Sequence, residues 1–142
     1  LALCAALPLS AMEKSAPVEA TVYRSPSCGC CKKWVEHIQA NGFVVKDIVK
    51  DDMAAIKREL GVPEKLASCH TAVIGGYRIE GHVPAADIRK LLDAKAPLLG
   101  LSVPGMPAGT PGMEAGGRKD AYSVLGFGPG EGVHSVHDYA GE

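Results

Sequence analysis

Three cysteines crowd into four positions, Cys28, Cys30 and Cys31, in the run SPSCGCCKKW. Thiolates do two kinds of chemistry: they attack disulfides and they hold soft metal ions. Cys28 and Cys31 have CxxC spacing, and residues three apart share a face of a helix, so the two sulfurs can meet as a disulfide or hold an ion between them. If Cys28 opens a helix, the unpaired backbone N–H groups there favour its thiolate. Lys32 and Lys33 add positive charge next to it. In a redox reading, Cys28 and Cys31 are the catalytic pair. Cys30 points elsewhere unless it lies in the loop part of the turn.

Cys69 is followed at once by His70. Cys28, Cys30, Cys31, Cys69 and His70 together make a set of four sulfurs and one imidazole. Such a set suits Cu(I) or zinc, and the weight of sulfur favours copper. Two adjacent cysteines strain the tetrahedron that zinc prefers. A plain structural disulfide is the simpler alternative in a secreted protein, but three thiols within four residues cannot all be satisfied locally. A disulfide-stabilised, metal-free interaction domain would leave no free thiol among these four.

Other candidates carry less. Met106 and Met113 sit in the Gly/Pro-rich run GMPAGTPGME, where thioethers can fold over a Cu(I) site or simply pin the loop to the core. His134 and His137 can bind metal as a pair, but a fraying polar tail is the plainer reading. His82 reads as structural at a hairpin end, and His37 belongs to neither the cysteine turn nor an obvious pocket. No phosphate-binding GxxxxGK[ST] run and no nucleophilic serine motif is present. With 15 basic and 16 acidic residues and a formal net charge of -1, the composition gives no electrostatic case for nucleic acid, where a basic patch is expected.

The elements that must position the cysteines can be read along the chain. Residues 12–20 form a polar lead-in, and residues 21–24 are short and β-prone, closed by Pro26. Residues 28–40 show a helical pattern with Trp34, Val35 and Ile38 on one face, ended by Asn41 and Gly42. Residues 43–49 form a strand, and Asp51 or Asp52 caps a helix over 53–60. Residues 72–74 and 77–79 make a hairpin across Gly75 and Gly76. Pro84 starts a helix ending near Ala94. This order predicts an α/β domain with a mixed sheet of about four strands flanked by helices. Residues 97–142 form a Gly/Pro-rich extension that packs on a core of residues 21–96, with one further strand over 122–127.

Residues 1–11 read LALCAALPLSA, apolar, uncharged and ending in small residues. They have the character of the rear half of a secretory signal peptide, with cleavage near Ala11, although Leu9 is bulky for that site. Cys4 follows Leu3, which fits a lipidation signal badly. The stretch is too short to span a membrane, and no other segment is long and apolar enough. An export signal places the remaining cysteines in an oxidising compartment.

Three stretches carry a family resemblance: VYRSPSCGCCKKW at 22–34, SCHTAVIGGYRIEGHVP at 68–84 and PGMPAGTPGME at 104–114. In this order they resemble the small periplasmic copper-resistance proteins called CopG, thioredoxin-like metal-binding proteins. The resemblance covers most of residues 21–127. It implies a thioredoxin-like fold, a periplasmic location, copper as cargo, exchange with other periplasmic copper-handling proteins, and metal-linked roles for Cys28, Cys30, Cys31 and Cys69. A looser similarity to glutaredoxins places His70 where those proteins carry the cis-proline facing the redox pair. That departure favours a metal site over an ordinary disulfide reductase built on Cys28 and Cys31.

Overall fold

A computed structural model describes residues 17–130 and 132–142. The expected leader, with Cys4 and the cleavage position near Ala11, lies outside the described residues. The first strand, β1, is Val18–Arg24, three residues longer at its start than the local β-propensity indicates. Its extra residues pair in parallel with β2, Phe43–Val49, with Val18 opposite Phe43 and Ala20 opposite Val45. This long-range partner supports a beginning that looks polar in isolation.

Between these strands lies α1, Gly29–Ala40, with Cys28 at its N-cap. Its buried face is Cys31, Trp34, Val35 and Ile38, the stripe that its apolar spacing requires. Gly42 takes the left-handed conformation after it, with φ +87, where a side chain would be strained. Asp52 caps α2, Met53–Glu59, by accepting from the Ala55 N–H at 3.0 Å. A single 3-10 turn, Glu64–Leu66, then leads to β3, Thr71–Ile74. The hairpin closes through Gly75 and Gly76, both with positive φ, into β4, Tyr77–Gly81. Pro84 is the N-cap of α3, Ala85–Ala94.

The sheet has seven strands in the order β2-β1-β3-β4-β5-β6-β7, where β5 is Gly100–Val103, β6 Tyr122–Phe127 and β7 Val133–Tyr139. Its first four strands, with α1 and α3, make a thioredoxin-like α/β core. Here β1 runs parallel to β2 and antiparallel to β3, so that Tyr23 at the end of β1 lies opposite Thr71 at the start of β3. One face of the sheet is apolar. Val22, Ala72, Ile74, Ile79, Leu101 and Val103 pack there with Trp34, Ile38 and Ile88. Alternation puts Thr71, Glu80 and Ser102 on the other face, all fully buried.

The extension continues the sheet beyond the expected count. β5 pairs in parallel with β4, and β6 and β7 follow antiparallel. The carboxyl-terminal segment is therefore a strand and not a fraying tail. It reads as polar because β7 is an exposed edge strand. His137 contributes to its anchoring. Its Nδ1 lies 2.7 Å from the carboxylate of Asp87 on α3, and Tyr139 donates to the same carboxylate at 2.5 Å. Asp87 is buried, so losing it removes the acceptor that both donors share. Asp87→Ala is expected to cost about 1–3 kcal/mol, read as a lower urea midpoint. Parent-like stability would show that this tie does not hold β7.

Candidate metal centre

Antiparallel pairing of β1 and β3 decides where the cysteines go. Cys28 follows the end of β1, and Cys69 precedes the start of β3, so both lie at one edge of the sheet. The Sγ atoms of Cys28, Cys30, Cys31 and Cys69 all fall within 4.8 Å of one another. Cys28 and Cys31 are joined as a disulfide, while Cys30 and Cys69 are thiols. The two thiols count against a metal-free domain with every cysteine paired. Cys30 does not point away: it stands 3.5 Å from Cys28 Sγ and 3.8 Å from the Sδ of Met106.

Burial raises the Cys69 thiol pKa to about 11, with the Ser68 hydroxyl opposing and Cys30 adding to the rise. Near neutral pH this thiol keeps its proton, which a bound metal must displace. His70 is fully buried against Trp34, with ring centroids 4.4 Å apart. Its Nδ1 lies 3.3 Å from Cys69 Sγ, and its Nε2 has no hydrogen-bond partner among the described residues. Burial, then the neighbouring His82 and Lys57, hold its pKa well below the usual value. The ring is therefore neutral, with one nitrogen carrying a hydrogen and the other a free lone pair.

Sequence reasoning missed His82, which it assigned to structure alone. Its Nε2 lies 3.2 Å from Cys69 Sγ, and its Nδ1 lies 2.6 Å from the Pro111 carbonyl. A carbonyl only accepts, so Nδ1 carries the hydrogen. Burial keeps the ring neutral, against the opposing pull of Pro111 and Glu114. Nε2 is therefore unprotonated and turned toward the sulfur. Cys69, His70 and His82 form a second set of possible ligands that shares Cys69 with the first. The one signal available in the sequence was the Gly81 that precedes His82, whose φ of +76 lets the chain turn there.

The Gly/Pro-rich loop covers this edge. Met106 is half exposed beside Cys30, so it does not pin the loop into the core. Met113 closes a turn through its backbone, with Gly109 N donating to its carbonyl at 2.7 Å and its own N–H donating to Thr110 at 2.7 Å. Gly112, with φ +93, lies so close that a Cβ there would fall 2.9 Å from the Cys30 carbonyl and 3.0 Å from His82 Nδ1. Gly112→Ala is expected to destabilise the protein by about 1–3 kcal/mol and to shift the His82 ring resonances. Unchanged stability and resonances would show that the loop does not bear on His82. His37 also differs from expectation: it lines an open groove of about 510 Å³ with Lys33, Glu36 and Glu114. Its Nε2 accepts from Ala85 N at 3.1 Å, satisfying an N–H at the start of α3. His134 is exposed on β7. The only groups of three or more convergent Cys, His, Asp or Glu ligands among the described residues are the two above, and neither includes His134 or His137.

Residues 66–113 match a family model described as a protein of unknown function, DUF411. No curated protein matches the chain. Two solved structures resemble it closely, described as copper resistance protein CopG, form 1 and form 2. Form 2 is 52% identical, with 87% of this chain and 99% of that chain covered and a TM-score of 0.84. Form 1 is 52% identical, with 89% and 100% covered and a TM-score of 0.84.

Proposed function

The chain belongs to the CopG family of copper-resistance proteins, and from that premise we propose that it binds copper in the periplasm, as Cu(I), at the cysteine edge of its sheet. The ligands are Cys28, Cys30, Cys31 and Cys69, with His70 and His82 behind them and Met106 at the exposed rim. Met113 is the weakest member, because the sulfur contact to the cysteine turn is made by Met106. The observation that carries this reading is the convergence of four Sγ atoms within 4.8 Å. Soft sulfur donors in that number suit Cu(I) better than harder ions. The Nδ1 of His70 and the unprotonated Nε2 of His82, 3.3 and 3.2 Å from Cys69 Sγ, set two imidazole nitrogens at the same edge. No described helix is long and apolar enough to cross a membrane, and the proposed partners are copper ions and other periplasmic copper-handling proteins.

The Cys28–Cys31 pair also supports redox chemistry. Opening the disulfide takes two electrons and two protons from a thiol reductant and frees both sulfurs as ligands. Closing it releases two electrons and two protons, enough to reduce two Cu(II) to Cu(I). One observation favours a second reading, a thiol–disulfide oxidoreductase: the pair sits as a disulfide at the amino end of α1, where a thiolate leaving group is stabilised. An insulin-reduction assay of the reduced protein, with and without stoichiometric Cu(I), separates the two. Copper handling predicts little turnover and its abolition by Cu(I). Rapid turnover with Cu(I) present would favour the oxidoreductase.

A further inference from the structure

On the face of the sheet opposite the apolar core, Glu80 is fully buried. Its Oε2 takes the Lys57 ammonium from α2 at 2.5 Å and the Ser68 backbone N–H at 2.7 Å. Its Oε1 takes the Thr71 hydroxyl at 2.5 Å, and Thr71 in turn accepts from Lys57 at 3.0 Å. Three donors on one buried carboxylate satisfy a charge that would otherwise be costly to hold there. A buried ion pair is poor evidence of stabilisation, since apolar replacements are often as stable. What Glu80 grips is more telling than that it is paired.

Ser68 is the residue before Cys69, and its hydroxyl donates to the Gly105 carbonyl at 2.6 Å, next to Met106. Ser68 thus ties the Cys69 segment to the loop bearing the thioether. Gly81, which follows Glu80, donates its N–H to the His70 carbonyl at 3.0 Å. It also leaves room for Ser68, because a Cβ there would fall 2.6 Å from Ser68 Oγ. One carboxylate therefore fixes a hub to which Cys69 and Gly105 are both attached.

We propose that Glu80, held by Lys57, is a positioning residue that keeps Cys69 within reach of the cysteine turn by anchoring the Ser68 N–H. It touches no ligand atom and acts through Ser68. The inference rests on the proposed copper site for its functional readout, but its geometric claim has a readout of its own.

The test compares the parent, Cys69→Ser, Lys57→Met/Glu80→Leu, and the combination of all three changes. Each is reduced, kept anaerobic, and titrated with Cu(I) in competition with bicinchoninate. The Lys57/Glu80 change is expected to weaken Cu(I) binding about 10–100-fold in the parent background and to add nothing once Cys69 is serine. A purely structural role would weaken both backgrounds alike, and that result, or parent-like affinity, overturns the inference. In the metal-free protein, iodoacetamide should modify Cys69 several-fold faster in the variant than in the parent. If Cys69→Ser itself binds Cu(I) like the parent, the shared copper site fails, and this alkylation rate alone judges the anchor: an unchanged rate overturns it. Should the double variant not fold, Glu80→Gln keeps the volume and one acceptor. A smaller shift in the same direction supports the anchor, and parent behaviour in both readouts overturns it.

Discussion

Replacing Cys69 with serine is expected to weaken Cu(I) binding by at least about 100-fold while leaving the fold intact. Cys69 is the sulfur that the first helix does not supply. It alone stands beside both the cysteine turn and the two buried imidazoles, and both possible ligand groups contain it. Serine keeps the size of the side chain but offers a hard oxygen in place of a soft sulfur. Cys69 is not in the hydrophobic cluster of the core, so thermal stability should change little. Competition titration against a Cu(I) chelator measures the effect, with near-UV circular dichroism as the check on folding. Parent-like affinity would remove Cys69 from the site.

Trp34→Ala is expected to have the largest effect on stability, about 3–5 kcal/mol. Trp34 is fully buried. Its Nε1–H donates to the Val83 carbonyl at 2.9 Å, one residue after His82. Its ring lies 4.4 Å from that of His70. The substitution therefore opens a cavity beside His70 and leaves a buried carbonyl unpaired. Urea unfolding should show the loss. Trp34→Phe, which keeps most of the volume but not the donor, should lose about 1–3 kcal/mol. Equal losses for the two would mean that the hydrogen bond and not the packing dominates.

The part of the site on local elements was legible in the sequence. Pro26, the CxCC run and the apolar stripe from Trp34 to Ile38 place Cys28 at a strand-to-helix junction, and it is the N-cap of α1. Cys69 reaches the same edge because β3 runs antiparallel to β1, a placement that the resemblance to glutaredoxins implies and no local element dictates. What was not legible depends on distant partners. His82 gains its tautomer from Pro111, 29 residues on. Glu80 looks like any strand acid until Lys57 of α2 reaches it across 23 residues. β7 carries few apolar side chains because most of its residues on both faces are exposed, so no amphipathic alternation marks it. β5 is only four residues long, too short for periodicity to distinguish it from a turn.

The most direct measurement is an anaerobic Cu(I) titration of the fully reduced protein in which bound copper and reactive thiols are counted together. Copper uptake through a shared site should protect Cys28, Cys30, Cys31 and Cys69 from alkylation in parallel, with all four unreactive at saturation. Saturation with Cys69 still freely alkylated, or no uptake by the reduced protein, would contradict a single copper site built from the CxCC turn and the Cys69–His70 segment.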